Sequence, residues 1–291
     1  MVYQAKDRRL EGGTVQEQCR LVQLYLLDVF SELCERHNLR YFLTGGTLIG
    51  AMRHNGFIPW DDDIDVAMPV EDYCKFVKIA DRELPDTMLL QVPGRYPGGI
   101  EGFAKLRDRC SFFCEENTYV RAPSGIYIDI FPYIKFPVLP HGLSLWITRW
   151  CYLSWASAGL NMSMPHRSIL GMFLAMLKAV VWKVMYYCLA GVCHGLALIL
   201  PTVRHDPLAT PHVSLGPAEI SEKSIFPLTK HVFEGKMYAV PRDSDAVLRQ
   251  HYGDWRKLPS LEKRHWHASI ICPTQAPDAP WARPFRAEPT A

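Results

Sequence analysis

The feature that most constrains this chain is a short acidic run inside an apolar strand pattern. Four aspartates lie between Trp60 and Val66, and two of them, Asp63 and Asp65, alternate with apolar residues. Alternation with a period of two predicts a strand with one buried face, so both carboxylates should project from the same side. Carboxylates this close raise each other's pKa unless a cation lies between them. The run therefore predicts a cation site.

A third carboxylate is available further along the chain. Asp129 alternates with isoleucines, so a strand at 125–131 should present it beside the acidic run. Three carboxylates form an all-oxygen ligand set, which suits magnesium or manganese. We therefore expect Asp63, Asp65 and Asp129 to be both metal ligands and catalytic residues. A surface Asp-x-Asp without function and a calcium loop are the alternatives, and the calcium loop's glycine and distal glutamate are missing here.

A glycine pair precedes the acidic run. Residues 40–44 predict a strand, and Gly45-Gly46-Thr47 follows it directly. Glycines at the end of a strand permit a sharp turn and let backbone N–H groups approach a phosphate, to which a following helix adds its positive end. Gly45, Gly46 and Thr47 are therefore candidate substrate-binding residues. A role in the turn alone is the alternative.

Apolar periodicity predicts the elements around these motifs. An amphipathic helix is expected over 15–37, and a second helix should run from Pro69 to Asp81 or Glu83. The remaining predicted elements are strands at 88–92, 102–107 and 125–131, a hairpin at 231–240 and a helix from 241 to about 252. Mixed helices and strands in this order indicate an α+β fold.

The span from Ile130 to His205 contains no aspartate or glutamate but six lysines and arginines. It is rich in Trp, Leu, Met and Tyr, which predicts an apolar, basic helical insert over 137–205. A membrane-spanning helix needs about 20 apolar residues, and 184–203 approaches that length but contains a histidine, two glycines and a proline. We therefore expect a helix lying at a membrane interface, where basic residues attract anionic lipid. A buried helical hairpin is the alternative.

Composition limits the remaining classes. The chain has 291 residues, of which 48% are hydrophobic and 21% charged, as in a globular protein with a packed core. Its 32 Lys and Arg residues against 30 Asp and Glu give a net charge of +2, too even for a general nucleic-acid binder. No nucleic-acid partner is expected.

The cysteines and the terminal residues give expectations about the cellular location of the protein and about its tail. Nine cysteines form no complete zinc-ligand set, so reduced, structural thiols are expected. The first 13 residues are charged and lack the apolar core of a secretory signal, which favours a cytoplasmic chain. Residues 273–291 are dominated by Pro, Ala and charged residues, which predicts a loose tail.

The order of strand, Gly-Gly-Thr, Asp-x-Asp and later carboxylate strand resembles the polymerase-beta type of nucleotidyltransferase fold. The residues from Thr44 to Asp65 look like the LicD family, phosphocholine transferases related to fukutin-type phosphotransferases. The likeness continues at 103–108, 125–132, 233–235, 252–255 and 258–259. It implies an α+β fold with a mixed sheet flanked by helices. The implied organisation is a catalytic core at 1–136, the insert at 137–205, the rest of the catalytic domain at 206–272 and a tail at 273–291.

The resemblance also implies a reaction. Phosphocholine, or a related phospho-alcohol, would pass from CDP-choline or a similar CDP-alcohol to a hydroxyl of a cell-surface glycan or its lipid-linked precursor, with release of CMP. The enzyme would work peripherally at the inner face of a membrane. Phosphoryl transfer depends on positioning and charge neutralisation, which two magnesium or manganese ions held by the three aspartates could supply.

Further residues acquire expected roles from this scheme. Asp129 is the candidate acceptor of the hydroxyl proton, and Lys105, Arg107 and Arg53 are candidate partners of the donor diphosphate, with ion pairs as the alternative for each. A choline group would need aromatic faces. The aromatic residues near the motifs are Trp60, Tyr127, Phe131, Tyr133 and Trp255, for which core packing is the default.

Two other functional classes compete with this one. An Asp-x-Asp motif could hold a metal and a nucleotide sugar in a glycosyltransferase, and donor preference separates the two enzymes. An inactive membrane-associated scaffold is the alternative without catalysis. The retention of all three carboxylates and the glycine pair argues against it.

Overall fold

The computed structural model describes residues 3–92, 103–115, 124–140, 143, 146–147, 150, 169–205, 219–264, 266 and 268–274. In chain order the helices are α1 (Val15–Arg36), α2 (Gly45–His54), α3 (Val70–Glu83), α4 (Ile169–Ala197), α5 (Glu222–Ile225) and α6 (Ser244–Tyr252). The strands before the insert are β1 (Phe42–Leu43), β2 (Asp65–Pro69), β3 (Met88–Gln91), β4 (Ala104–Asp108), β5 (Phe112–Glu115) and β6 (Tyr127–Pro137). Those after it are β7 (Thr202–His205), β8 (Glu219–Ile220), β9 (Thr229–Phe233), β10 (Lys236–Val240) and β11 (Ala268–Cys272).

The main sheet is mixed and follows the order β1-β2-β6-β4-β3. Strands β2 and β6 run parallel, whereas the other neighbours on this path are antiparallel. The register places Asp65 opposite Asp129, and Lys105 opposite Asp129 from the other side. The predicted α+β fold with a mixed sheet flanked by helices is confirmed, and its centre brings predicted site residues together.

Helix α1 confirms the amphipathic helix predicted for 15–37. The Thr14 hydroxyl accepts a hydrogen bond from the Glu17 N–H, and the Glu17 carboxylate accepts one from Thr14, which forms a capping box. The buried face, which includes Leu26 and Phe30, packs into one large core with the sheet and α3. The α1 helix thereby covers the sheet behind the acidic run.

The acidic run differs from its predicted form in one respect. Strand β2 begins at Asp65, so Asp63 lies in the segment just before the strand. The Asp129 N–H donates to the Ile64 carbonyl, and the Thr47 hydroxyl accepts from the Asp65 N–H. These two bonds fix the entry into β2, so Asp63 stays beside the strand without belonging to its ladder.

The C-terminal predictions are largely confirmed. Strands β9 and β10 form the hairpin expected at 231–240. The helix expected from 241 is α6, which begins later, at Ser244. The Asp243 carboxylate caps α6 by accepting from the Ala246 N–H, which explains that start. Most of the predicted tail lies outside the described residues.

The insert leaves the sheet at the end of β6 and returns through β7, which pairs with β6. The far half of β6 pairs with β7, so that Pro137 lies opposite Thr202 and the two ends of the insert are adjacent. Between them, α4 is 29 residues long, and its segment Val180–Ala197 is long and apolar enough to cross a membrane, with 6% of it buried. This exposure does not fit the buried hairpin that was the alternative.

Candidate active site

Three carboxylates meet where β2 and β6 run side by side. Asp65 opens β2, Asp129 lies opposite it in β6, and Asp63 reaches the same place from the preceding segment. One carboxylate oxygen from each lies within 4.8 Å of the others. The predicted gathering of Asp63, Asp65 and Asp129 is therefore present in the structure, and the parallel β2–β6 register is its cause.

The electrostatics of this cluster favour a bound cation. Removal from water raises the pKa of Asp65 well above its ordinary value, and the charges of Asp63, Asp129 and Asp61 raise that pKa further. A hydrogen bond from the Gly46 backbone N–H acts in the opposite direction. Because a divalent ion would relieve this repulsion and the ligands are all oxygens, the residues present fit magnesium or manganese.

The glycine pair makes room for the acids. A Cβ atom on Gly45 would lie 2.2 Å from Asp65 Oδ2, and one on Gly46 would lie 2.6 Å from Asp61 Oδ2. Gly45 also has a φ of +56°, a conformation that disfavours other residues. The absence of side chains on the glycines therefore allows α2 to begin in close contact with the carboxylates. The phosphate-binding role of Gly45, Gly46 and Thr47 remains a prediction.

Lys105 lies directly at the cluster. Its Nζ is 3.2 Å from Asp129 Oδ1 and 3.7 Å from the centre of the Tyr127 ring, and its side chain is buried. Arg107, two residues further along β4, donates instead to Gln91 Oε1 at 2.6 Å and to the Gly125 carbonyl at 3.0 Å. Of these two predicted cations, Lys105 is therefore the one paired with a carboxylate of the cluster.

Arg53 is not brought to the acids. It lies at the last turn of α2, eight residues or about 12 Å along the helix from Gly45. Its guanidinium donates to the Trp255 carbonyl and lies 6.0 Å from the centre of that indole ring. The structure thus gives Arg53 a contact between α2 and the segment after α6, and its predicted contact with the donor diphosphate remains a prediction.

Two further aspartates, for which the sequence predicted no role, belong to the same region. Asp61, Asp62 and Asp63 form a second group with oxygens within 4.8 Å of one another, which shares Asp63 with the first group. Asp62 is buried, and its Oδ2 accepts from the Ala268 N–H at 2.9 Å. The unbroken acidic run was the available signal, but the period-two reading selected only alternate residues.

The elements behind the cluster hold the acidic segment by its backbone. Gln23 of α1 donates to the Asp62 carbonyl at 2.6 Å, and Arg20 donates to the Pro59 carbonyl at 2.8 Å. Neither residue was singled out from the sequence, because contacts to carbonyl groups leave no pattern in side-chain chemistry. Helix α1 is consequently part of the support of the site.

Three candidate aromatic rings each pack against a cation of the chain itself. Arg264 lies 4.7 Å from the Trp60 ring centre, Arg256 lies 4.5 Å from that of Trp255, and Lys105 covers Tyr127. Tyr133 is buried and shares a hydrogen bond with the Thr44 hydroxyl, while Phe131 packs on Phe103 at 4.6 Å between ring centres. These contacts support the packing alternative for the set.

The cysteines take no part in the cluster. The eight cysteines within the described residues are free thiols, as expected, and burial raises the pKa of Cys19 and Cys34. Among the described residues, the groups that could hold a metal ion consist of aspartates alone. The chemistry of this region is therefore that of carboxylates, one buried ammonium and a glycine-started helix, which suits cation-assisted group transfer.

Comparison with known proteins agrees with this class. The sequence model described as "LicD/FKTN/FKRP, nucleotidyltransferase domain" matches residues 38–136, which contain all three carboxylates. The chain is 30% identical over 275 residues to the lipopolysaccharide cholinephosphotransferase LicD of Haemophilus influenzae, covering 87% of this chain and 96% of that protein. The chain therefore belongs to the LicD family, and it is a transferase.

Two other similarities are narrower. The ribitol 5-phosphate transferase FKRP of Homo sapiens is 50% identical over 38 residues, which are 13% of this chain and 8% of that protein. The solution structure of the antibiotic-resistance factor ANT(2'')-Ia aligns with 61% of this chain and 96% of its own at 13% identity and a TM-score of 0.22. A TM-score that low carries no argument about the fold, so the polymerase-beta type remains an expectation.

Proposed function

We propose that this chain is a metal-dependent phosphotransferase. It moves phosphocholine, or a related phospho-alcohol, from a CDP-linked donor to a hydroxyl of a cell-surface glycan or its lipid-linked precursor, and it releases CMP. The observation that carries the proposal is the meeting of Asp63, Asp65 and Asp129 on adjoining strands. The cholinephosphotransferase and ribitol-phosphate-transferase names of the relatives support the phospho-alcohol.

The reaction balances with the groups present. The acceptor oxygen forms a bond to the phosphorus that carries the alcohol, and the bond from that phosphorus to the CMP oxygen breaks, so that CMP leaves with the electron pair. Asp129 takes the hydroxyl proton. Lys105, which faces Asp129, places a positive charge next to the donor diphosphate. The role of the chain is thus to position the two substrates and to neutralise charge.

Magnesium or manganese would be held by Asp63, Asp65 and Asp129, with Asp61 on the neighbouring side of Asp63. When bound, such ions neutralise charge on the transferring phosphoryl group. Gly45 and Gly46 leave space for the Asp65 and Asp61 carboxylates, and the Gly46 N–H orients Asp65. The N-terminus of α2 adds a favourable potential for phosphate at the same place.

The two alternative functions are less well supported. An Asp-x-Asp glycosyltransferase would use the same metal ligands, but the family match and the names of the relatives favour phospho-alcohol transfer. An inactive scaffold gives no reason for glycines that fit so closely against carboxylates. Donor specificity remains the property that separates the two enzyme classes.

The test is an assay of CMP release and donor binding with the whole chain. CDP-choline, CDP-ribitol, CDP-glycerol and sugar nucleotides are each supplied with and without magnesium or manganese. Metal-dependent recognition of a CDP-alcohol supports the proposal and names the alcohol. Recognition of sugar nucleotides alone contradicts it and supports the glycosyltransferase.

A further inference from the structure

Helix α4 carries an exposed apolar stripe. Its members follow one another at intervals of three and four residues, which places them on one face of a helix. They are Leu170, Leu174, Leu177, Val181, Val184, Cys188 and Val192. The leucines and valines among them are between 47% and 67% exposed, and Cys188 is exposed too. From Leu170 to Val192 the stripe is about 33 Å long.

The opposite face of α4 is less exposed, and it contacts the rest of the molecule at Cys193. Trp182, Tyr186, Leu189 and Cys193 are less exposed, and they recur at the same helical spacing. Cys193 packs in a small apolar cluster with Phe136 of β6. A helix that crosses a bilayer alone would meet lipid on all sides. One face on protein and one face exposed is instead the arrangement of a helix that lies flat on a surface.

The charges around the stripe determine what can cover it. Lys178 and Lys183 are exposed and fall on opposite sides of the stripe when α4 is viewed down its axis. No acidic residue occurs in the sequence from 131 to 205. A second copy docking on this stripe would bring lysines together without a carboxylate from the same segment, whereas anionic lipid headgroups would complement them.

We infer that the stripe of α4 lies in the interface of an anionic bilayer, with Lys178 and Lys183 among the headgroups. Leu198 and Ile199, which follow α4 directly in the chain, are also exposed apolar residues. A patch of this size is rare on a protein surface that faces water.

The docking helix is tied to the catalytic strand. Strand β6 carries Asp129 near its start and Phe136, which contacts α4, near its end. Seven residues of strand span about 23 Å, so the reacting carboxylates lie within that distance of the docked helix. If the proposed function holds, this length suits an acceptor hydroxyl on a lipid-linked glycan, close to but not in the headgroup layer.

Vesicle flotation of the whole chain tests this inference. Vesicles of phosphatidylcholine alone are compared with vesicles that also contain phosphatidylglycerol. We expect flotation with the anionic vesicles, its loss in Val181→Glu, and an approximately fivefold weaker binding for Lys178→Gln or Lys183→Gln. Leu261→Glu is the matched control, since Leu261 is 78% exposed outside the insert, and it should float like the parent chain.

Three results would overturn the inference: a parent chain that stays unbound, a Val181→Glu variant that floats equally well, or a parent dimer that Val181→Glu converts to a monomer. The last result would assign the stripe to a second copy. CDP-choline binding in solution, measured on the same variants, should not change. A parent chain that binds none of CDP-choline, CDP-ribitol and CDP-glycerol would count against the proposed function and leave the flotation result standing.

Discussion

Nζ of Lys105 lies 3.2 Å from Oδ1 of Asp129, and both side chains are buried. The antiparallel β4–β6 register causes this contact, because it places the two residues opposite each other. The lysine lies above the Tyr127 ring, which fixes its position further. Of the two strands that flank Asp129, β2 therefore supplies Asp65 and β4 supplies the Lys105 ammonium.

Lys105→Met tests the role of this cation. We expect CMP release to slow at least roughly tenfold, because a charge-assisted contact to the donor is lost. Manganese affinity should not fall, because removal of a positive charge cannot weaken the attraction between the aspartates and a second cation. Lys75→Met, at an exposed position, is the control. Parent-like turnover in Lys105→Met would remove Lys105 from the mechanism.

Gly45→Ala tests whether the acids depend on the glycine pair. The added Cβ would meet Asp65 Oδ2 at 2.2 Å, in a backbone conformation with a φ of +56°. Metal affinity and turnover should both fall, turnover by about a hundredfold or more. Gly191→Ala, with open space around its Cβ position, should keep both. Circular dichroism verifies that each variant is folded, and normal metal binding by Gly45→Ala would contradict the fit described here.

The sequence predicted most of this site for physical reasons that can be stated. Alternation with isoleucines fixed which face of β6 carries Asp129, and parallel pairing with β2 then brought it to Asp65. Arg53 lies at the far end of α2 beside Trp255, so its predicted contact with the donor diphosphate stays a prediction. Asp61 was missed, because its position depends on contacts before the strand begins.

In the rest of the fold, too, some features could be predicted from the sequence and others could not. A local signal, the apolar periodicity over 15–37, predicted α1 within a residue. Gln23 and Ala268 hold the acidic segment through hydrogen bonds to Asp62, although both lie far from it in sequence. Such backbone contacts have no periodicity, so they could not be predicted. Which face of α4 is exposed could not be predicted from the sequence, because it depends on the packing of Cys193 on the opposite face.

Arg9 anchors the N-terminal segment to β4. Its guanidinium forms a bidentate pair with Asp108 at 2.7 and 2.9 Å, and Asp108 is fully buried. Arg9→Ala should lower the free energy of unfolding by about 3 kcal/mol, because it leaves a buried carboxylate unpaired. Arg8→Ala, next to it and on the surface, should leave stability nearly unchanged. Equal effects in urea denaturation would contradict this assignment.

His251 predicts an acid-sensitive stability. Burial lowers the pKa of this histidine to about 4, and its Nε2 is buried without a hydrogen-bond partner among the residues that the structure describes. Since the unfolded chain protonates at a higher pH than the folded one, the contribution of His251 is complete above about pH 6.5 and is lost as the pH falls towards 4. His251→Phe should flatten the pH dependence of unfolding by up to about 1.4 kcal/mol per pH unit. An unchanged slope would contradict this.

In the proposed function, the aspartates at the β2–β6 junction hold the catalytic cation. The most direct measurement is a manganese titration followed by electron paramagnetic resonance, on the parent chain and on Asp65→Asn and Asp63→Asn, with CMP release measured in the same samples. Asp86→Asn, at an exposed position, is the control. We predict that the parent chain and the control bind manganese, and that both site variants lose binding and turnover while keeping their fold. Parent-like manganese binding and turnover in both variants would contradict the assignment.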